Sequence, residues 1–367
     1  MLKTLVAIPI RIVLKVLYPV FLIGYGIALL APKVSPVVSE IPAYFNLAFG
    51  LFYLGAVFYL LYFLFHWKDS SLFLVFHLLL IAFTVDYLTT YSPMNVFEGL
   101  KEKRDLRVMT YNVENFYHRL SEDTAPYAIG VIKKYDPDIV CLQESVGGTS
   151  DMRSEAWFRE YFTKDEYPFV VASAKKRLTL LSKYPVKEHH IVEYESYTNG
   201  SESYLIEVSG KKLLLINNHL ESYSLSDVEK EKYRGFIKTS EVKRMWEHFK
   251  EVKGRLSPNM LLRVSATQAT HRDMTYSQSE HRPDYTIVLG DFNDTPMSYA
   301  YSKLRGDMKD AYQQVGFGPG ISYNEDLLPF RIDHVLYSGS LEATGGKIPW
   351  IKEASDHNPV IIDFTLK

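Results

Sequence analysis

Hydrophobic and polar positions follow two different patterns along this chain. Up to about residue 95, apolar residues run on without a polar face. The runs are Val16 to Ala31, extendable back to Ile12 where Lys15 can snorkel, then Ile41 to Phe65, then Leu72 to Tyr91, whose one charge is Asp86 near its end. A helix needs roughly 20 apolar residues to cross a bilayer, so the pattern predicts three membrane-spanning helices in residues 1–95. The tyrosines and the His66-Trp67 boundary suit an interfacial belt. Pro32, Pro36 and Pro42 mark the first connection, and Lys68-Asp69-Ser70 the second. A cleaved signal peptide would explain only the first stretch, and a soluble helical hairpin would need the polar face these segments lack. Residues 96–105, including Phe97 to Asp105, read as a charged linker.

From residue 106 the apolar runs become short and end in polar residues. Leu106 to Val113, Ile139 to Leu142, Arg177 to Leu181, Tyr285 to Leu289, Arg331 to Tyr337 and Pro359 to Leu366 read as strands. Ser203 to Val208 and Lys211 to Asn217 read as a hairpin around Ser209-Gly210. Helices are expected over Tyr127 to Lys134, Ser226 to Lys253, Met260 to Met274 and Tyr299 to Leu304. Val242, Met245, Trp246 and Phe249 form an apolar stripe at helical spacing, expected in the core. Strands and helices mixed in this way, with several hairpins, predict sheets covered by helices.

Composition narrows the function. The chain holds 41 Lys/Arg and 43 Asp/Glu; five and three of these precede residue 96, which leaves 36 and 40 and a net charge of −4 for the remainder. A dedicated nucleic-acid binder usually carries a basic excess. The single cysteine, Cys141, excludes an internal disulfide and a cysteine-rich metal site. Its place inside an apolar strand makes it a core residue.

The strand ends carry the candidate chemistry: Asn112, Glu144, His219, Asp291 with Asn293, Asp333 with His334, and Asp356 with His357. Each alone reads as a cap, a surface acid or a core histidine. Together they make a functional set. Glu144 and Asn112 offer hard oxygen ligands suited to Mg²⁺ or Mn²⁺. His357 beside Asp356 has the make-up of a general base. His219 and Asn293 can donate to a phosphoryl oxygen, where charge builds in a transition state. A metal, a base and oxyanion donors together point to phosphoester hydrolysis.

The ordered series TYNVEN, DIVCLQE, LLSKYPV, INNHLES, VLGDFND, RIDHVLYS and SDHNPV resembles the endonuclease/exonuclease/phosphatase superfamily, the fold of pancreatic deoxyribonuclease, over residues 106–367. The resemblance implies an α/β four-layer sandwich, two packed mixed β-sheets flanked by helices, and phosphoester cleavage that depends on a divalent metal. It implies Glu144 as the main metal ligand with Asn112 beside it, and His219 and Asn293 as phosphate contacts. Asp291 matches an acid that positions the nucleophile or helps bind metal; Asp333 matches one that orients His219 or binds metal. Asp356 and His357 match the base pair, Asp356 also lying at the metal side. Many relatives carry a glycine before the LLSKYP-like strand, where this chain has Arg177-Leu178-Thr179. Arg331 could reach a phosphate or form a structural salt bridge.

The substrate is less determined. A bilayer tether raises the effective concentration of membrane-borne substrates, which favours a lipid or envelope phosphodiester over a nucleic acid. A metal-dependent nuclease is the alternative, and a non-enzymatic anchored binding protein the second. Basic residues tie across the expected spans, Lys3, Arg11, Lys15 and Lys68 against Lys33, Lys101, Lys103 and Arg104. The basic flank of the first helix then predicts an inside N-terminus and a catalytic domain on the non-cytoplasmic side of the cell membrane.

Overall fold

The computed structural model describes residues 2–96, 99–118, 122–146, 154–196, 199–223, 242–323, 330–351 and 353–367. The chain divides into two units, Met1–Tyr91 with Met297–Tyr299, and Ser92–Pro296 with Ala300–Lys367.

The first unit is helical: α1 (Leu2–Ala28), α2 (Ile41–Leu47), α3 (Phe49–Phe65) and α4 (Trp67–Tyr91). The second apolar stretch, expected as one span, is two helices bent by 67°. The break falls at Ala48, whose φ of −96° and ψ of 11° leave the helical region. Arg11–Ala28 and Trp67–Tyr91 are long and apolar enough to cross a membrane, and the bent pair makes a third span if it counts as one. Their outward faces are apolar, with Val16 65% and Phe83 83% exposed. Polar groups turn inward instead. Tyr18 Oη lies 2.9 Å from His77 Nδ1, and His77 Nε2–H donates to the Ala56 carbonyl at 2.8 Å, so one imidazole links α1, α3 and α4.

In the second unit, β1 (Leu106–Asn112) leads into a two-stranded ribbon, β2 (Tyr117–His118) and β3 (Glu122–Asp123). Then come α5 (Ala125–Tyr135), β4 (Ile139–Gln143), α6 (Glu155–Tyr161), β5 (Phe169–Ser173), β6 (Leu178–Ser182), β7 (Val186–Val192), β8 (Gly200–Val208) and β9 (Lys211–His219). The long helix α7 (Val242–His281) precedes β10 (Tyr285–Asp291). The chain closes with α8 (Tyr299–Arg305), β11 (Lys309–Asp310), α9 (Ala311–Val315), β12 (Asp333–Gly339), β13 (Leu341–Lys347) and β14 (Val360–Leu366).

Two six-stranded mixed sheets result, ordered β13-β14-β1-β4-β6-β5 and β11-β12-β10-β9-β8-β7. Their inner faces share one core that includes Leu106, Val108, Cys141, Leu215, Ile287 and Val335. The next residue along each strand points outward under helices. Met109 and Val140 meet Ile132 and Phe158, while Ile216 and Val288 meet Ala266 and Leu304. Strands buried on both faces explain the unbroken apolar runs.

Elements without such runs escaped the pattern. Strand β7 is an edge strand whose sequence VKEHHIV is mostly exposed, and β13 is glycine-rich. The two expected helices over Ser226–Lys253 and Met260–Met274 are one continuous helix from Val242, with Pro258 inside it. The portion 224–241 lies outside the described residues, as do the side chains of the Val242, Met245, Trp246 and Phe249 stripe. The expected linker is partly packed: Lys101 N donates to Asp363 Oδ2 at 2.6 Å, on the buried carboxylate that also pairs with Arg107.

Fused to a soluble reporter, residues 1–95 should carry it into the membrane fraction and hold it there through carbonate washing. Recovery of the reporter in the supernatant would refute the membrane assignment.

Candidate active site

Backbone register assembles the site before any side chain is considered. The parallel pair β9–β10 sets His219 opposite Asp291, and the antiparallel pair β10–β12 sets Asp291 opposite Asp333. Three candidate residues therefore lie in one row across the second sheet. In the first sheet, the parallel pair β1–β4 sets Asn112 opposite Gln143, so Glu144 follows at the same end. Gly290 makes the close strand approach possible. At φ +126° it lies against Asn218, and a Cβ there would come within 2.0 Å of the Asn218 carbonyl oxygen.

The two rows meet through buried polar contacts. Asn112 Nδ2 donates to Asp291 Oδ2 at 3.0 Å and to Glu144 Oε1 at 3.3 Å. Gln143 Nε2 donates to Asn217 Oδ1 at 2.7 Å. His219 Nε2 lies 3.6 Å from Glu144 Oε1 and 3.7 Å from Asp291 Oδ2. Its Nδ1 is buried without a hydrogen-bond partner among the described residues. Asn293 folds back over the loop: its N–H donates to Asp291 Oδ1 at 2.8 Å and its amide to the Leu220 carbonyl at 2.9 Å.

His357 differs from expectation in its partner. Its Nδ1–H donates to Asp333 Oδ2 at 2.8 Å, and its Nε2 faces Asp291 Oδ2 at 3.7 Å. The carboxylate that orients His357 is thus Asp333, not the neighbouring Asp356. Nor does Asp333 orient His219, which meets Glu144 and Asp291 instead. Asp356 turns its backbone N–H to Glu114 Oε2 at 3.2 Å and takes a bond from Ser355 Oγ at 3.4 Å. Asp333, brought in by a second strand, meets the imidazole directly.

Backbone strain concentrates here. Nine described non-glycine residues have positive φ, and six of them, Glu114, Asn115, Phe116, Glu144, Arg177 and Asn293, lie in the loops at this end of the sheets. Each such position costs on the order of 1 kcal/mol, and clusters of them are typical of functional loops.

The electrostatics are those of an overcrowded acid site. Burial would raise the Glu144 pKa, but His219 and Arg177 outweigh it and hold the carboxyl below its usual range. Burial raises Asp291, and Asp333 adds to that while His357 opposes it. For His357, burial works downward, but the carboxylates of Asp333, Asp291 and Asp356 hold its pKa well above the ordinary imidazole value. A buried surplus of carboxylates calls for a compensating cation. Ligand atoms of Asp291, Asp333 and His357 lie within 4.8 Å of one another, a group that could hold a metal ion. The carboxylate oxygens of Glu144 and Asp291 also fit a hard cation, whereas Asn112 differs from expectation: it turns its amide nitrogen to both carboxylates and its Oδ1 accepts from Glu114 N at 3.0 Å.

Two sequence candidates fall outside the cluster. Successive residues of β12 alternate sides, so His334 points away from Asp333. It donates from Nε2 to the Asp294 carbonyl at 2.9 Å and packs edge-on against Phe292 and Tyr301. Arg331 forms the structural salt bridge, with Nη1 3.0 Å from Asp310 Oδ2, both groups buried. The sequence reading did not single out Asn115, which donates to Glu144 Oε2 at 2.9 Å. Nor did it find Tyr323, whose ring lies 5.0 Å from that of His357. Only folding brings Tyr323 there.

A profile of the Endonuclease/Exonuclease/phosphatase family matches residues 109–357. The chain belongs to this family. No curated protein matches the sequence. Among solved structures, an endonuclease/exonuclease/phosphatase from Beutenbergia cavernae is similar at 18% identity and TM-score 0.50, over 72% of each chain. The human Nocturnin catalytic domain with bound sulfate is similar at 17% identity and TM-score 0.49, over 74% of this chain and 97% of its own. A truncated Caenorhabditis elegans TDP2 is similar at 16% identity and TM-score 0.48, over 71% and 97%. These likenesses concern the fold of the Endonuclease/Exonuclease/phosphatase unit. Family members are phosphoester hydrolases and usually use divalent metals.

Burial, and then Arg331, push the His334 pKa down to about 4. The unfolded chain binds this proton near pH 6.5 and the folded chain later. The stability it protects is therefore full above about pH 6.5 and falls as pH drops towards 4, by up to about 3 kcal/mol. In His334→Gln, the decline in Tm from pH 7 to pH 4.5 should be shallower than in wild type, whatever the starting Tm. Parallel declines would contradict a neutral buried imidazole.

Proposed function

We propose that the protein is a membrane-anchored hydrolase of phosphoesters that works with a divalent cation, Mg²⁺ or Mn²⁺, and a water activated by His357. One observation carries this reading: the His357–Asp333 bond of 2.8 Å stands beside the buried Asp291, which His219 links to Glu144. This is the constellation of an oriented base facing a cation site.

Glu144, held ionised, is the main ligand, with Asn112 and Asp291 beside it and Asp356 at the same side. The bound cation would neutralise phosphate charge and acidify water. It would also offset the carboxylates that keep the proton on His357. Asp333 holds the His357 Nδ1 proton in place, which leaves Nε2 as the atom that takes a proton from water. His219 would donate its Nε2–H to a phosphoryl oxygen; Asn293 would join it only by giving up its amide bonds to the Leu220 carbonyl and Asp291. Asp291 receives the Asn293 N–H and fixes that loop.

The apolar helices favour a substrate carried in or near a bilayer, a lipid or envelope phosphodiester, which a tethered enzyme meets at raised effective concentration. The net charge of −4 outside the apolar third argues in the same direction, away from a dedicated nucleic-acid enzyme.

The test is a hydrolysis screen of the full-length chain in detergent against mixed phospholipids, sphingomyelin, phosphoinositides, plasmid DNA, RNA and bis-p-nitrophenyl phosphate, with Mg²⁺, Mn²⁺ and EDTA arms. Metal-dependent lipid cleavage is expected; cleavage of DNA or RNA alone would transfer the protein to the nuclease branch. His357→Ala should lower turnover on the order of 10²- to 10⁴-fold. Asp333→Asn should approach that loss, while Asp356→Asn should cost less if Asp333 is the orienting acid. Glu144→Gln should displace the Mg²⁺ titration to higher concentration; an unchanged titration would remove Glu144 from the ligand set.

A further inference from the structure

Arg177 is an arginine in a place built for glycine. It ends the turn between β5 and β6 at φ +57°, in the left-handed region that costs nothing only to glycine. Its backbone is pinned beside the site, because the Arg177 carbonyl accepts from Ser145 N at 3.0 Å, one residue past Glu144. Its side chain turns to the carboxylates. The guanidinium donates to Asn115 Oδ1 and lies 3.5 Å from Glu144 Oε2, while its Nε is buried without a hydrogen-bond partner among the described residues.

The two oxygens of Glu144 therefore face different company. Oε1 faces Asn112 and His219, on the side of Asp291. Oε2 is taken by Asn115 and Arg177. In two-metal phosphoester sites, ions about 4 Å apart clamp the reacting phosphate from both sides. Here one oxygen of the Glu144 carboxylate already faces a charge that does not dissociate, since arginine stays protonated in proteins. At the other end of the site, Asp333 is engaged by His357.

We infer that Arg177 is the second cation of the site: a fixed guanidinium that stands in for a second metal at the Glu144 end, so that the protein binds one divalent ion. Arg177 is then a positioning residue, which commits Glu144 to that ion through one oxygen. The inference rests on the hydrolase reading above and narrows it to a one-metal site with a built-in positive partner.

The experiment is a Mn²⁺ titration of the full-length chain in detergent, with free Mn²⁺ followed by electron paramagnetic resonance and Tm measured without metal. Wild type and Arg177→Lys should bind one Mn²⁺ per chain. Arg177→Gly and Arg177→Asn, both of which tolerate positive φ, should bind two. Their metal-free Tm should not fall below wild type for Arg177→Gly, because the strained backbone is relieved. Two ions on wild type, or one ion at unchanged affinity on both Arg177→Gly and Arg177→Asn, would overturn the inference and leave the metal hydrolase standing. A lowered Tm with the ion count unchanged would make Arg177 a structural brace. No Mn²⁺ bound by wild type would instead sink the metal-dependent reading itself.

Discussion

The structure of the second unit turns on a small set of buried polar contacts between two sheets that otherwise meet through hydrocarbon. Asn112 reaches Asp291, and Gln143 reaches Asn217, at the end where both central parallel pairs stop. Buried polar groups are costly unless satisfied. The contacts therefore admit few alternative sheet registers, and a slip of one residue would turn every partner to the wrong face. The apolar core supplies most of the adhesion, and the polar bridge selects one alignment. That alignment places Glu144, His219, Asp291, Asp333 and His357 around a common space.

The same arrangement explains the local strain. Strands that end together must shed their chains abruptly, and Glu144, Arg177 and Asn293 do so through left-handed backbone. At Gly290, beside the site, a side chain would collide with the facing backbone. The charges follow from the crowding. Burial and the neighbouring Asp333 raise Asp291, and Asp333, Asp291 and Asp356 together hold a proton on His357, a balance that a cation would shift. The Asp291–Asp333–His357 group could hold such a cation.

Much of the fold is readable along the chain, because strands buried on both faces produce apolar runs that end in a polar residue. Leu106–Asn112, Ile139–Gln143 and Tyr285–Asp291 all have this form. Strand β7 does not, since an edge strand with one solvated face carries charges instead. The break at Ala48 is invisible for a related reason: hydropathy registers how apolar a segment is and not whether its backbone continues straight.

For the site, the residue types at the strand ends, and the hard-oxygen chemistry they imply, follow from the sequence by itself. So does the contrast between an unbroken apolar third and a balanced, slightly acidic remainder. Pairing was decided only by tertiary structure. Adjacent Asp356 and His357 look like a dyad on paper, yet the imidazole meets Asp333, delivered by a different strand. His334 looks like a site residue, yet the alternation of β12 turns it into the core. Arg177 reads as the first residue of a strand, yet it ends the turn before that strand at positive φ and reaches Glu144. The physical reason is common to all three. Sequence records which groups lie at the end of a strand, whereas a hydrogen bond or an ion pair depends on which strands lie side by side and which face each residue presents.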